Sequence, residues 1–261
     1  MTAALLLGLL IGIPLGLLGG GGSILAVPAL VYGVGMPLAE AVPTSLVVVG
    51  ASSVTAVLPR LRAGQVQWRV AAVFGLAGAG TAFVGAAVNR LLDPSIVLLG
   101  FAALMVAAAV GMLRGQSETG GACALPDGAI NWRSCLPKSL GSGAAVGFLT
   151  GLFGLGGGFL IVPALVLLLG LPMTIAVGTS LVVIVLNSSA GFAAFLGNVQ
   201  LDYPLTATFA GSAIVGSLIA GQMAQHLPAA QLRHWFAYLV LLVAALIFLQ
   251  LAINPSAIPA S

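Results

Sequence analysis

The chain has 261 residues, of which 60% are apolar and only 5% charged, and 8 basic against 5 acidic side chains leave a net charge of +3. Soluble domains carry about 25% charged residues, so this composition excludes a soluble globular protein and predicts an all-α integral membrane protein. The basic residues stand singly between apolar runs and form no stripe, which argues against a nucleic-acid partner.

A membrane helix needs about 20 apolar residues. Apolar runs cover 3–33, 38–58, 68–90, 95–114, 139–169, 172–196, 201–225 and 229–253. The first run lacks a basic leader, so it is expected in the mature fold and not as a cleaved signal peptide. Runs 3–33 and 139–169 are each too long for one simple span, and each is interrupted by glycines. Between Arg114 and Lys138 lies the longest polar stretch, with Gly, Pro, Ser and both cysteines, Cys123 and Cys135. Their spacing matches no zinc or redox pattern. The expected organisation is a first transmembrane repeat over 1–114, a polar linker over 115–138 and a second repeat over 139–261.

The repeat is legible at an offset of 135. From Gly12–Val48 against Gly147–Val183, 21 of 37 pairs are identical. The shared elements are Gly12, Gly16, Gly19, Gly21 and Gly22 with Val27-Pro28-Ala29-Leu30, matched by Gly147, Gly151, Gly154, Gly156 and Gly157 with Val162-Pro163-Ala164-Leu165. Thr44-Ser45-Leu46-Val47-Val48 matches Thr179-Ser180-Leu181-Val182-Val183. A duplication of this size means two homologous four-segment halves.

Each glycine-broken run either crosses the bilayer unwound in the middle or turns back as a re-entrant hairpin. Crossing gives eight spans and parallel repeats; turning back gives three full spans per half and inverted repeats. In the re-entrant arrangement Arg60, Arg62, Arg69, Arg114, Arg133, Lys138 and Arg233 share one side and Arg90 alone the other. The excess of Lys and Arg on cytoplasmic faces favours that arrangement, with both termini outside, a cytoplasmic linker and reduced cysteines.

The glycine clusters are the leading candidates for a site. Gly19, Gly20, Gly21 and Gly22 precede a half-helix expected near Ser23, and Gly154, Gly156, Gly157 and Gly158 precede one expected near Phe159. A helix N-terminus exposes unpaired N–H groups and carries about half a positive charge. Two such ends meeting in the bilayer would hold a small oxyanion without Arg or Lys. Close helix packing is the competing reading, and it is the preferred one for Gly12, Gly16, Gly147 and Gly151. Thr44, Ser45, Thr179 and Ser180 are expected to open helices after Pro43 and Gly178, as N-caps or as anion ligands. Ser52 and Asn187 each lie seven residues beyond Ser45 and Ser180, extending a polar stripe. Such residues face a cavity or the protein interior. Glu40, Asp202, His226 and His234 lie near segment ends, where water or headgroups meet them.

Other chemistry is not legible. A Walker A sequence is missing, which argues against ATP drive; no metal-ligand spacing and no cofactor motif occur; and no histidine or lysine sits deep in a span beside a serine. The chain is therefore not expected to be an enzyme.

The paired motifs over residues 12–30 with 44–48 and 147–165 with 179–183 resemble the TauE/SafE family of sulfite exporters. The similarity extends over nearly the whole chain. It implies a multi-pass protein of a prokaryotic inner membrane that exports a small sulfur-containing anion, namely sulfite, thiosulfate or an organosulfonate, by alternating access. The alternative on the same scaffold is a passive anion channel or facilitator. Ser23 aligns with Gly158 and Gly20 with Leu155, so the two copies need not contribute equally. The expected partners are the anion and the lipid bilayer, and glycine-rich faces are compatible with a homodimer.

Overall fold

The computed structural model describes residues 2–89, 91–114, 132–153, 158–195, 202–224 and 227–253, and every regular element among them is helical. A backbone in lipid has no water to bond, so an apolar chain satisfies its N–H and C=O groups within helices. The order is α1 Thr2–Leu18, α2 Gly21–Pro28, a π-helical turn Ala29–Gly33, α3 Leu38–Arg62, α4 Trp68–Asn89 and α5 Pro94–Leu113. It continues with α6 Trp132–Phe153, α7 Gly158–Pro163, a second π-helical turn Ala164–Leu168, α8 Met173–Phe195, α9 Tyr203–Ala224 and α10 Ala229–Ile253. Five stretches among the described residues are long and apolar enough to cross a bilayer: Glu40–Arg62, Trp68–Asn89, Met173–Ala193, Tyr203–Ala224 and Ala229–Leu249. Leu5–Leu18, Gly21–Val31, Leu99–Leu113 and Gly158–Leu168 are shorter apolar helices.

The first run turns back on itself. Gly19 takes φ +77, a left-handed conformation that costs a residue with a Cβ. Beyond it α2 runs antiparallel to α1: Gly22 lies against Ile11 and Leu15, and Gly33 against Leu7. The hairpin geometry therefore holds for the first copy, and a straight unwound crossing does not. In the second copy the π-turn packs against α6, while residues 154–157 of the break lie outside the described residues.

Val-Pro-Ala-Leu has the same local structure in both copies. Pro28 (φ −56, ψ −39) and Pro163 (φ −56, ψ −40) each lead into a π-turn. Proline removes the N–H that would close the α-turn, and the backbone widens instead. Gly35 (φ +79) and Gly170 (φ +68) then end these segments. Their N–H groups donate to Val31 O and Val166 O, both at 3.1 Å.

The most extensive helix pairs are α4 with α6 and α1 with α9. A Cβ on Gly12 would strike the Ala213 carbonyl, and on Gly16 the Ser217 carbonyl. At Gly147 it would strike the Gly78 carbonyl and at Gly151 that of Ala82. These four glycines are thus the close-packing residues expected of small-xxx-small spacing. Between these pairs α3 crosses α8: Leu46 lies beside Gly191 and Gly50 beside Ser188, so the two helices run antiparallel.

Three expectations are corrected. Thr44-Ser45 and Thr179-Ser180 do not open helices: α3 starts at Leu38 and α8 at Met173, with Pro43 inside α3. The N-cap reading fails because Pro37 holds the N-cap position of α3, and Thr44 and Ser45 lie inside the helix. Helix α6 begins at Trp132 and runs through Pro137, inside the stretch expected to be polar linker through Lys138. Cys135, fully buried on that first turn, is disulfide-bonded and not a reduced thiol; Cys123 lies outside the described residues. The charge count behind the reduced-thiol expectation reports orientation and carries no information on which sulfurs meet.

Candidate functional site

The start of α7 comes against the first break. The Gly20 backbone packs directly on the Gly158 carbonyl and stands 3.1 Å, from an ideal Cβ, from Phe159 Cα. An ideal Cβ on Gly158 would lie 2.6 Å from Ser23 Oγ, and one on Gly19 would lie 2.7 Å from Ser180 Oγ. Gly19, Gly20, Ser23, Gly158 and Ser180 therefore form one contiguous junction, all buried. Glycine at these positions lets two backbones approach to van der Waals contact. Gly20 is the N-cap of α2, and no side chain caps that end. Ser23 Oγ donates to Gly20 O at 2.7 Å and Ser180 Oγ to Val177 O at 2.8 Å, so both hydroxyls are oriented by their own backbone.

A cavity of about 370 Å³ opens beside this junction. Gly158, Ile184, Asn187 and Ser188 border it, with Phe74 and Phe83 of α4 and Thr150 of α6. The Asn187 amide is half-buried and has no hydrogen-bond partner among the described residues. Thr150 Oγ1 donates to Val146 O at 2.7 Å. The walls are otherwise apolar.

The remaining expected residues lie elsewhere or do other work. Gly21 packs on Leu239 and Gly22 on α1. The Phe159 ring is buried edge-on against Phe101, with centroids 5.2 Å apart at 84°, so this side chain anchors α7 and does not line the cavity. Thr179 Oγ1 accepts the Gln67 N–H at 3.1 Å, tying α8 to the α3–α4 turn. Thr44 Oγ1, Ser52 Oγ and Ser53 Oγ are buried without partners, and Ser45 Oγ donates to Val42 O. Gly154, Gly156 and Gly157, like His226, lie outside the described residues. Glu40 is half-buried in the first turn of α3. Asp202 Oδ1 accepts the Leu205 N–H at 3.2 Å at the start of α9. His234 Nδ1 lies 2.6 Å from Ala230 O of its own helix.

Sequence reasoning missed Arg60. Counted there as a topological charge, it is 0% exposed. Its Nη2 donates to Gly16 O at 3.0 Å and Leu17 O at 3.3 Å, while Nε is buried without a partner. These carbonyls end α1, at the edge of the first break. The matching end of α6 is held by a neutral group, with Asn89 Nδ2 donating to Leu152 O at 2.5 Å. A hydrogen bond from a charged group contributes about 1.5–3 kcal/mol, whereas burying an ion costs several kcal/mol. Two carbonyls leave little or no margin. The helical period was the missed signal: Arg60 lies seven residues, two turns, beyond the buried Ser53 and so on its face, whereas Arg62, nine residues beyond it, is on the opposite face and exposed.

The sequence matches the family described as sulfite exporter TauE/SafE over residues 4–247. The chain belongs to the TauE/SafE family. It is 38% identical over 216 residues to a probable membrane transporter protein of Xylella fastidiosa strain Temecula1, covering 81% of this chain and 78% of that one. A protein of the same description from strain 9a5c is 41% identical over 179 residues, 67% of this chain and 66% of the relative. The probable membrane transporter protein YunE of Bacillus subtilis is 29% identical over 218 residues, 76% of this chain and 80% of that one. No solved structure matches. Family and apolar helices together make the chain a multi-pass membrane transporter.

Proposed function

We propose that the chain is a secondary transporter of the prokaryotic inner membrane that exports a small sulfur-containing anion, sulfite or an organosulfonate, by alternating access. Its architecture is read as two inverted repeats. The antiparallel crossing of α3 and α8, which carry the matching Thr-Ser-Leu-Val-Val motifs, supports this. So do the matching pairs, Gly12 on Ala213 against Gly147 on Gly78, which exchange under the 135-residue offset. Two oppositely oriented halves joined along one crossing can rock about it, the usual basis of alternating access in such folds.

The observation that carries the anion reading is the junction of Gly20 with Gly158, beside a cavity that holds an unpartnered Asn187 amide. Peptide N–H groups, Ser23, Ser180, Asn187 and Ser188 offer neutral polar contacts, which suit a site that must release its anion. The cavity lies between α4, α6 and α8, so the anion is read as entering there, from the Gly158 side. The separation from a passive facilitator is kinetic. In proteoliposomes, labelled sulfite efflux is expected to saturate and to accelerate when unlabelled sulfite is placed on the opposite side. Flux that rises linearly with concentration, without acceleration, would instead support the facilitator.

A further inference from the structure

We propose that Arg60 is the fixed counter-charge of the anion path at the junction; this rests on the anion-transport reading above. Among the buried residues described, Arg60 is the one charged side chain. A buried cation is normally matched by a carboxylate, and Arg60 has none among the described residues; Glu118 and Asp127 lie outside them. Glu40 lies at the opposite end of the same helix, twenty residues or about 30 Å away. Asp202 is exposed at the start of α9, and Asp93 sits in the turn before α5. Neither α1 nor α9, which pack around this end of α3, carries an acidic residue.

Capping does not explain the charge. The equivalent end of α6 is capped by the neutral amide of Asn89, so the geometry needs a donor and not a cation. Arg60 also retains donor capacity. Its guanidinium has five N–H groups in a planar fork, the Nη2 contacts reach two carbonyls, and Nε is buried with no acceptor. That fork matches an oxyanion. It stands at the last turn of α1, two residues before Gly19. An anion arriving at the junction supplies the missing negative charge, and the permanent positive charge favours anions over neutral solutes there.

The test uses the full chain in detergent, with thermal stabilisation by thiosulfate over chloride as the readout. Thiosulfate stays a dianion between pH 5.5 and 8. Arg60→Lys keeps the charge and should bind within about threefold of wild type. Arg60→Gln keeps an amide donor for the carbonyls but should weaken binding about tenfold or more, the scale of one charged contact. Arg60→His should bind at pH 5.5 and lose binding at pH 8, a change the wild type does not show. Besides Arg60 itself, the titratable groups on α3 and the elements packed against it are Glu40 at the opposite end of α3, the exposed Arg62, Tyr32 of the first π-helical turn and Tyr203 at the far end of α9. Wild-type affinity in Arg60→Gln would overturn the inference and leave Arg60 a helix cap. If Arg60→Gln fails to fold, pH-independent binding by Arg60→His overturns it equally. A wild type that responds to thiosulfate no more than to chloride would sink the anion reading itself, and this inference with it.

Discussion

The two glycine breaks come from one duplicated sequence, yet their surroundings differ. At the first, Gly19–Gly22 are buried, α2 folds back on α1, and a buried arginine holds the end of α1. The second begins its short helix at Gly158, which borders a cavity, and a neutral asparagine holds the end of α6. The same glycine motif occurs twice, and what flanks it differs: a buried charge stands at the first break, and a cavity borders Gly158 after the second.

The strongest way to break this comparison is to put a side chain at each contact. Gly20→Ala drives a Cβ into the Gly158 carbonyl, which is backbone and cannot rotate away. Flux should fall about a hundredfold, the scale of a 1 Å misplacement at a positioned site. Gly158→Ala first meets Ser23 Oγ at 2.6 Å and the end of Ile184 at 3.2 Å, both able to shift. Its loss should be under about tenfold. Equal losses from the two alanines would show that the breaks do not differ in this way.

Asn187→Ala sharpens the cavity side. This amide makes no protein hydrogen bond among the described residues, so its removal should leave the melting temperature nearly unchanged, within about 0.5 kcal/mol. Sulfite affinity should fall about three- to tenfold, the value of one neutral hydrogen bond. Asn89→Ala should do the reverse. It leaves the Leu152 carbonyl uncapped and should cost about 1 kcal/mol of stability with affinity unchanged. The smallest effect is expected from Ser52→Ala. The Ser52 hydroxyl is buried without a partner, so its loss should be neutral or slightly stabilising, by up to about 1 kcal/mol, with flux within about twofold.

Much of this was legible in the sequence because local rules set it. Most helix limits followed from apolar runs and the break in the first run from its glycines, while the distribution of Lys and Arg favoured the hairpin that Gly19 makes at positive φ. The roles of Gly12, Gly16, Gly147 and Gly151 followed from their four-residue spacing. What was not legible depends on partners distant in the chain. Nothing local says that α1 pairs with α9 or α4 with α6, and so nothing local locates the cavity. Phe159 was singled out for the backbone near the start of α7, and where its ring goes was not legible: it packs into the core against Phe101. Thr44 and Thr179 looked like caps because Pro43 and Gly178 precede them, whereas the helices begin about a turn and a half earlier. Arg60 was hidden by being counted with Arg62, although two residues along a helix point to different sides.

The central claim, that an anion binds where the two breaks meet, is tested most directly by locating the anion. Crystals grown with selenite, a sulfite analogue with an anomalous signal, are the means. The account predicts a single strong peak within about 3.5 Å, hydrogen-bond reach, of the backbone nitrogens around Gly20 and Gly158 or of the Asn187 amide. A well-occupied selenite elsewhere, with the junction still packed shut and empty, would contradict it.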